Sequence, residues 1–531
     1  MPRIVEDLCG LFREILPDAA IGADTDFFEA GGNSLAAARL AGLIRSRLGT
    51  PVSLVHILEY PSPEGLASVL AELSAEGALD AEPDVPSRSQ VTSGIVSIAQ
   101  EHRFDIWRQH PTSRNLCRMQ LLRGPLERTA LTRAARRLLA RHQALRSAFD
   151  VPPAGVPHVA VRDVGDAFDI DWYDLRALPY AAARRYVETA VDAACALPFE
   201  FSAPPFLRIV CAHLAEETFA IALVVEHLVA DGMALDILLA DLAALYGGEV
   251  TGADAGLPEL PYEFLDFARW QRTRLAGHRR QELLDYWGAQ IRDRGLYEGV
   301  AFPQWRKTEG LPLATKARAV VPLSELTDSL HLGRRHGLTP YMVAITAFAA
   351  ATARAASLDS VPIVSVTGNR PMGAERVVGW FAHAFSFEVR VRADGLASLF
   401  EGTRAAILDA SRHEELPYFL VLKLLKPDMG RNGPNVFFSY QSDSGPVSWH
   451  GMDAEELDDL PATAVPFGGL AVDIIEARGN AVIELTFGSE NWPPETMASL
   501  LGDFVSFLKD PMLLEQFVAE RNSPEARSLP C

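Results

Sequence analysis

The sequence predicts a small all-α bundle, then a polar linker, then a much larger body of mixed helices and strands. Three observations predict it. Over the first 73 or so residues, apolar side chains recur at helical spacing. Residues 76–92 hold mostly Glu, Asp, Pro, Ser, Gly and Ala, with little apolar periodicity, which reads as a flexible linker. The remaining 440 or so residues alternate helical patterns with strand-length apolar runs, as α/β or α+β layering would.

In the bundle, Ile4, Leu8, Leu11, Phe12 and Ile15 share one helical face, and Pro17 ends that helix. Asp24 to Ala30 is irregular and carries Phe27 and Phe28. Gly31-Gly32-Asn33-Ser34 then opens a helix with Leu40, Leu43 and Ile44 at helix spacing. Ser62-Pro63 is an N-cap with proline at the first helical position, and Leu66, Val69, Leu70 and Leu73 continue that apolar face.

Ser34 stands where a Gly-rich turn meets a helix start. The plainer reading is an N-cap. The functional reading is a hydroxyl presented for covalent modification. The stretch Asp26-Phe27-Phe28-Glu29-Ala30-Gly31-Gly32-Asn33-Ser34-Leu35 resembles the D-F-F-E-x-G-G-x-S-L segment of peptidyl carrier proteins, and Tyr60-Pro61-Ser62 continues the match. The resemblance implies a four-helix carrier over 1–75 with 4′-phosphopantetheine on Ser34. A linker of this length spans on the order of 25 Å as a coil.

In the body, Leu131 to Arg141 reads as a helix and Phe219 to Val225 as a fully apolar strand. Met233 to Tyr246 reads as a helix with Leu235, Leu238, Leu239, Leu242 and Leu245 inward. Tyr341 to Thr352 is an Ala-rich helix, and Val361–Val366 and Asn435–Tyr440 read as buried strands. Lys plus Arg number 49 and Asp plus Glu 69, a net charge of −20, which argues against a nucleic-acid partner. No apolar run reaches the roughly 18 residues of a membrane span. Glu6 and Asp7 stand where a signal peptide would be apolar, so a cytoplasmic location is expected. Cys9, Cys117, Cys195, Cys211 and Cys531 form no CxxC pair, giving neither a metal site nor a disulfide framework.

The predicted strand Phe219–Val225 runs into Glu226-His227-Leu228-Val229-Ala230-Asp231-Gly232 and then a helix. A histidine there can take a proton from an amine or alcohol, and the glycine allows close approach and offers an N–H to a developing oxyanion. On those seven residues alone a core histidine and an aspartate N-cap lead. The stretch resembles the H-H-x-x-x-D-G motif of nonribosomal peptide synthetase condensation domains. Further motifs of that family follow the same order. Ser97-Ile98-Ala99-Gln100-Glu101 resembles S-x-A-Q-E, and Arg141-His142-Gln143-Ala144-Leu145-Arg146-Ser147-Ala148-Phe149 resembles R-H-x-x-L-R-x-x-F. Phe264-Leu265-Asp266-Phe267-Ala268-Arg269-Trp270-Gln271 resembles Y-x-D-F-A-x-W-Q, with Phe for the tyrosine. His413-Glu414-Glu415-Leu416-Pro417-Tyr418 resembles H-Q-D-x-P-F, and Arg431-Asn432 stands where a late R-N pair belongs.

The resemblance implies an α/β body of two chloramphenicol-acetyltransferase-like lobes in a V, N-lobe 93–268 and C-lobe 269–520, with a polar tail at 521–531. It places the catalytic histidine, His227, with Gly232 at the lobe junction, in a tunnel between a donor carrier and an acceptor. It makes Asp231 chiefly structural, with Arg370 of Gly368-Asn369-Arg370 as candidate partner. Two departures stand out. Glu226 replaces the first histidine of the motif; it either orients His227 or points away into a polar pocket, the second being favoured. Gly379-Trp380-Phe381-Ala382-His383-Ala384 replaces G-x-F-V-N-T. That makes Trp380 and His383, with Ser439, candidate channel residues, although an ordinary strand histidine is the safer reading of His383.

The implied function is transfer of an acyl or peptidyl group from the fused carrier to an amine or hydroxyl, forming an amide or ester, in secondary metabolism. The implied partners are upstream synthetase modules, a phosphopantetheinyl transferase, and an acceptor amine, alcohol or second carrier supplied in trans. A carrier-linked epimerisation domain and a non-catalytic recruitment domain are the alternatives. The first needs a second acid/base glutamate that is not found upstream of Val377.

Overall fold

The computed structural model describes residues 2–17, 19–32, 34–50, 52, 54–75, 86–109, 115–164, 168–294, 300, 302, 305–306, 314–371, 373–426, 436–441, 447–457 and 469–522. Asn33, Arg431-Asn432, Cys531, most of the polar tail and the linker up to residue 85 lie outside them.

Four helices make the N-terminal unit: α1 (Pro2–Ile15), α2 (Ser34–Leu48), α3 (Leu54–Glu59) and α4 (Pro63–Ala75). The predicted face of α1 is buried at Leu8, Leu11 and Phe12, which meet Phe27, Leu40, Ile44, Leu66 and Leu70. The two glycines before Ser34 each have a cause. Gly31 holds φ +101°, which L side chains rarely adopt, and a Cβ on Gly32 would lie 2.3 Å from the Phe27 ring. The carrier rests on the larger body. The Leu58 carbonyl accepts from Arg404, and Glu59 pairs with Arg412.

The linker is not a free coil along its whole predicted length. Arg88 donates to the Leu260 carbonyl at 3.0 Å, and the Ser89 hydroxyl and the Arg269 guanidinium both reach this corner of the body. Ser89 is held there by the Asp266 carboxylate at 2.5 Å. Residues 86–92 therefore belong to the body.

The first lobe runs β1 (Ser93–Ile95), α5 (Ile98–Gln109), β2 (Asn115–Arg123), α6 (Arg128–Arg141), β3 (Ser147–Asp150) and β4 (His158–Val161). It continues through β5 (Asp171–Asp174), α7 (Tyr180–Ala196), β6 (Leu207–Ala215), β7 (Thr218–Glu226), α8 (Gly232–Thr251) and α9 (Phe264–Arg274). The second lobe runs α10 (His278–Arg294), β8 (Ala314–Pro322), α11 (Thr327–Arg335), α12 (Pro340–Ala356), β9 (Ser360–Thr367) and β10 (His383–Arg390). Then come α13 (Leu396–Ser411), α14 (Tyr418–Leu425), β11 (Val436–Gln441), β12 (Asp453–Glu456), β13 (Leu470–Ala477), β14 (Asn480–Gly488), α15 (Pro494–Lys509) and α16 (Pro511–Arg521).

Each lobe has one mixed sheet, ordered β12-β2-β7-β6-β5 and β10-β9-β11-β13-β14-β8; β1-β4-β3 form a third, small sheet. The apolar run of β7 is explained by its central place, since both faces are covered. The five leucines of α8 are buried as expected. The Ala-rich helix α12 is buried on nearly every side, and its small residues let Phe348 and Phe504 of α15 meet at 5.4 Å.

A cut at residue 268 does not divide the lobes cleanly. Helix α9 straddles it, and β12 leaves the second lobe to pair antiparallel with β2 of the first, Glu456 opposite Gln120. A four-residue polar strand carries no period from which such a crossing can be read.

Glu263 caps α9 and is 6% exposed, and burial pushes its carboxyl up to about 7 from 4.5. Between those values the folded chain keeps a proton the unfolded chain has lost, so stability falls as pH rises through the window. Glu263→Gln keeps the capping oxygen. It is expected to raise stability near pH 8 by about 1–3 kcal/mol and to change little near pH 4. Denaturant titrations at the two pH values check this; an equal effect at both would remove the buried-carboxyl explanation.

Candidate active site

Strand β7 delivers the site. Its last residue, Glu226, faces Asn115 at the end of the β2 ladder, and there the pairing stops. The next residues turn sharply, the Val229 N–H donating to the Glu226 carbonyl at 3.1 Å. Leu228, Val229 and Ala230 plug into the first-lobe core at 0–1% exposure, and this fixes the loop. His227 is left half-buried between core and solvent. Its Nδ1 lies 2.8 Å from the Ala230 carbonyl, which can only accept, so Nδ1 carries the proton and Nε2 is the basic atom of the neutral ring.

Gln100 of the S-x-A-Q-E stretch holds the same loop from outside. Its Nε2 donates to the Leu228 carbonyl at 2.8 Å, while Ser97 and Gln100 cap each other at the start of α5. The other early motif is structural as well. Arg141, His142 and Arg376 converge on the buried carboxylate of Asp241 at 2.8–3.0 Å.

Asp231 fulfils both of its sequence readings. It is the N-cap of α8, accepting from the Ala234 N–H at 2.8 Å. It also pairs with Arg370 of the second lobe at 2.7 Å and accepts from the Phe381 and Ala382 N–H groups at 3.0 and 3.1 Å. Arg370 in turn donates to the Ala374 and Val377 carbonyls, 2.8 Å each, and lies 4.5 Å over the Phe381 ring. One buried carboxylate thus ties helix α8, the Arg370 loop and the 380–382 turn together across the lobes. That turn needs Gly379, where a Cβ would stand 2.0 Å from the Phe264 ring.

Asp231→Ala is expected to cost roughly 3–5 kcal/mol, because it strands a buried guanidinium. The measurement is denaturant unfolding, with Arg370→Ala destabilising through the same pair. An unchanged midpoint with lost turnover would instead make Asp231 a catalytic group.

Gly232 opens α8 and is exposed; a Cβ built on it meets nothing within 4 Å. The space before it is open, and the first N–H groups of a helix have no acceptor within the helix. Glu226 points away from the site. It is 1% exposed and pairs at 3.8 Å with Arg103 of α5, itself 1% exposed. No sequence pattern marks Arg103, because a lone arginine on a helix usually reads as a solvated one.

Trp380 packs against His227, ring centroids 4.7 Å apart. With His383, the first residue of β10, it lines a cavity of about 440 Å³ between α5 and α14. His383 is thus a strand residue, as its safer reading has it, and a cavity residue as well. Ser439 is not among the residues that line this cavity. Strand alternation puts it on the sheet face opposite His383, where its hydroxyl binds Asp473 of β13 at 2.5 Å. Among the described residues no group of His, Cys, Asp and Glu side chains is placed to hold a metal ion, and no helix is long and apolar enough to cross a membrane.

Comparison with known proteins agrees with this architecture. The condensation-domain family model matches residues 94–523, and the phosphopantetheine attachment site model matches residues 6–70. The chain belongs to the condensation-domain family and carries a phosphopantetheine-binding carrier domain in front. It is similar to two phosphinothricin tripeptide synthetases of Streptomyces viridochromogenes. PhsB is 30% identical over 79% of this chain, and PhsC 29% identical over 75% of it. Tyrocidine synthase 3 of Brevibacillus parabrevis is 27% identical over 92% of this chain. The chain spans only 36%, 37% and 7% of the length of these three proteins. Among solved structures, the starter condensation domain of rhizomide synthetase matches with TM-score 0.67 at 16% identity, over 79% of this chain and 94% of that one. The first condensation domain of the calcium-dependent antibiotic synthetase matches with TM-score 0.65 at 17% identity, over 79% and 96%. These two show the fold.

Proposed function

We propose that this chain transfers an acyl or peptidyl group from its own carrier domain to an amine, or a hydroxyl, supplied in trans, forming an amide or ester. The observation that carries the reading is the loop of His227, held by Ala230, Gln100 and the Asp231–Arg370 pair, with open space before Gly232. The carrier fits its cofactor, 4′-phosphopantetheine, because Ser34 is the first residue of α2 behind the tight Gly31-Gly32 turn, where the helix dipole favours a phosphate. Bound there, the arm supplies the thiol that carries the acyl group.

In this reading Nε2 of His227 accepts the proton of the attacking amine, or holds the amine in line with the carbonyl carbon. The amine would add to the carbonyl carbon before the arm's thiol leaves, and the proton taken up at Nε2 of His227 would depart with that thiol. The N-terminal turn of α8 at Gly232 faces the carbonyl oxygen as charge develops. Asp231, Arg370 and Gln100 hold these groups still. Upstream modules that load the carrier, a phosphopantetheinyl transferase and a separate acceptor are the partners this chemistry needs. A cytoplasmic setting suits the free thiols of Cys9, Cys117, Cys195 and Cys211.

Loading Ser34 with acyl-phosphopantetheine, adding candidate amines and reading products by mass spectrometry tests the proposal. An amide product that needs His227 supports it. Inverted stereochemistry without transfer would point to epimerisation, and binding without any product to recruitment.

A further inference from the structure

Beside the catalytic loop, the 440 Å³ cavity falls within the range of small-molecule pockets and well above the roughly 150 Å³ that holds a benzene ring. Ile106, Leu275, Phe419 and Leu420 wall it, and Trp380 and His383 close it toward β10. Its wall is partly aromatic, because His102 stacks on Phe419 at 4.4 Å and the indole of Trp380 lines it as well. Most charged groups at the cavity are engaged. Arg272 pairs with Glu101 at 2.7 Å, Lys423 with Asp105 at 3.0 Å and buried Arg103 with Glu226 at 3.8 Å, while Arg280 is partly exposed. The lining therefore suits a neutral, largely apolar group.

Within that wall His383 offers a buried acceptor. His383 is 8% exposed, and its Nδ1 lies 3.1 Å from the Ala384 carbonyl, so Nδ1 carries the proton. Its buried Nε2 has no hydrogen-bond partner among the described residues. Burial pushes the ring pKa down to about 4, which keeps the imidazole neutral at working pH and Nε2 an acceptor. A buried acceptor with no donor is costly, and a ligand that brings the donor recovers that loss.

We propose that this cavity seats a substrate side chain with an apolar, planar body and one hydroxyl or N–H, which donates to Nε2 of His383. The inference rests on the condensation reading and names its substrate class. Trp380 touches both the cavity and His227, so a group seated there lies one aromatic ring from the reacting centre. Donor acyl group and acceptor amine share this chemistry.

The test compares pairs differing by one hydroxyl, using the full chain. In one arm Ser34 carries tyrosyl- or phenylalanyl-phosphopantetheine with the amine fixed; in the other the donor is fixed and tyramine competes with phenethylamine. The hydroxylated partner is expected to win by about ten- to hundredfold in kcat/KM in one arm, which identifies the source. His383→Leu should bring the ratio to about one, and His383→Asn, which keeps an acceptor, should restore part of it.

Direct binding of p-cresol and toluene, followed by NMR on the same proteins, judges the cavity without turnover. Wild type should prefer p-cresol, and His383→Leu should lose the preference. Leu420→Trp, which fills the cavity without touching His383, should weaken both probes and keeps the test sound if His383→Leu does not fold. Equal binding of p-cresol and toluene by the wild type, or a preference surviving in His383→Leu, overturns the proposal. Absence of product with every pair, alongside selective p-cresol binding, would sink the condensation reading while the pocket stands.

Discussion

Ser34→Ala is expected to abolish loading of the chain by coenzyme A and a phosphopantetheinyl transferase, and with it all product from the fused carrier. The argument is chemical and local. Attachment needs a hydroxyl oxygen to attack the phosphate, and alanine has none. The substitution is expected to cost the fold no more than about 1 kcal/mol, because position 34 is the first of α2 and alanine there loses at most a capping bond. The turn that presents it depends on Gly31, Gly32 and Phe27, all unchanged. Intact-protein mass spectrometry should show one phosphopantetheine on the wild type and none on the variant, with a melting point lowered by no more than a few degrees. Equal labelling of the two proteins would remove Ser34 as the attachment point. Product from Ser34→Ala with a separately supplied carrier would show that the larger body still works.

Local patterns are the legible part of this molecule. A buried central strand such as β7 has to be apolar throughout, and α1 and α8 have to repeat their leucines at helix spacing. Strand β7 and helix α1 lie close to the limits their patterns predict, while α8 runs five residues past Tyr246. A carboxylate in an apolar loop demands a cation, but the sequence pattern does not say which; Arg370, 139 residues away, is anticipated only through the family resemblance.

Contacts without a local period are not legible. Nothing near Gln100 announces that its amide holds the carbonyl of Leu228, 128 residues away. Nothing near Glu226 announces Arg103, and a free-coil linker cannot foretell that Ser89 is bound by Asp266. Ser439 shows a related limit. A strand shows which residues alternate but not which face meets the site, and its hydroxyl belongs to the face of Asp473.

His227→Ala is expected to lower product formation by about 10²–10⁴-fold while loading on Ser34 stays intact, if the imidazole acts as general base. The geometry sets up that role. The Ala230 carbonyl fixes the proton on Nδ1 at 2.8 Å, the buried trio Leu228-Val229-Ala230 fixes the backbone, and Gln100 holds the loop from α5. A histidine that only positions the acceptor would give a smaller loss, seen mainly in the acceptor's apparent affinity. Single-turnover rates at saturating and limiting amine separate the two. Glu226→Gln completes the test because it keeps shape and removes charge. Glu226 pairs with buried Arg103, so the variant should leave the pH–rate profile in place and lower stability instead. A profile shifted to lower pH would mean that the carboxylate acts on His227 directly. Full activity of His227→Ala with an amine acceptor would remove the histidine mechanism altogether. The fixed geometry around it would then have to serve recruitment of a partner, the reading that the open space before Gly232 least requires.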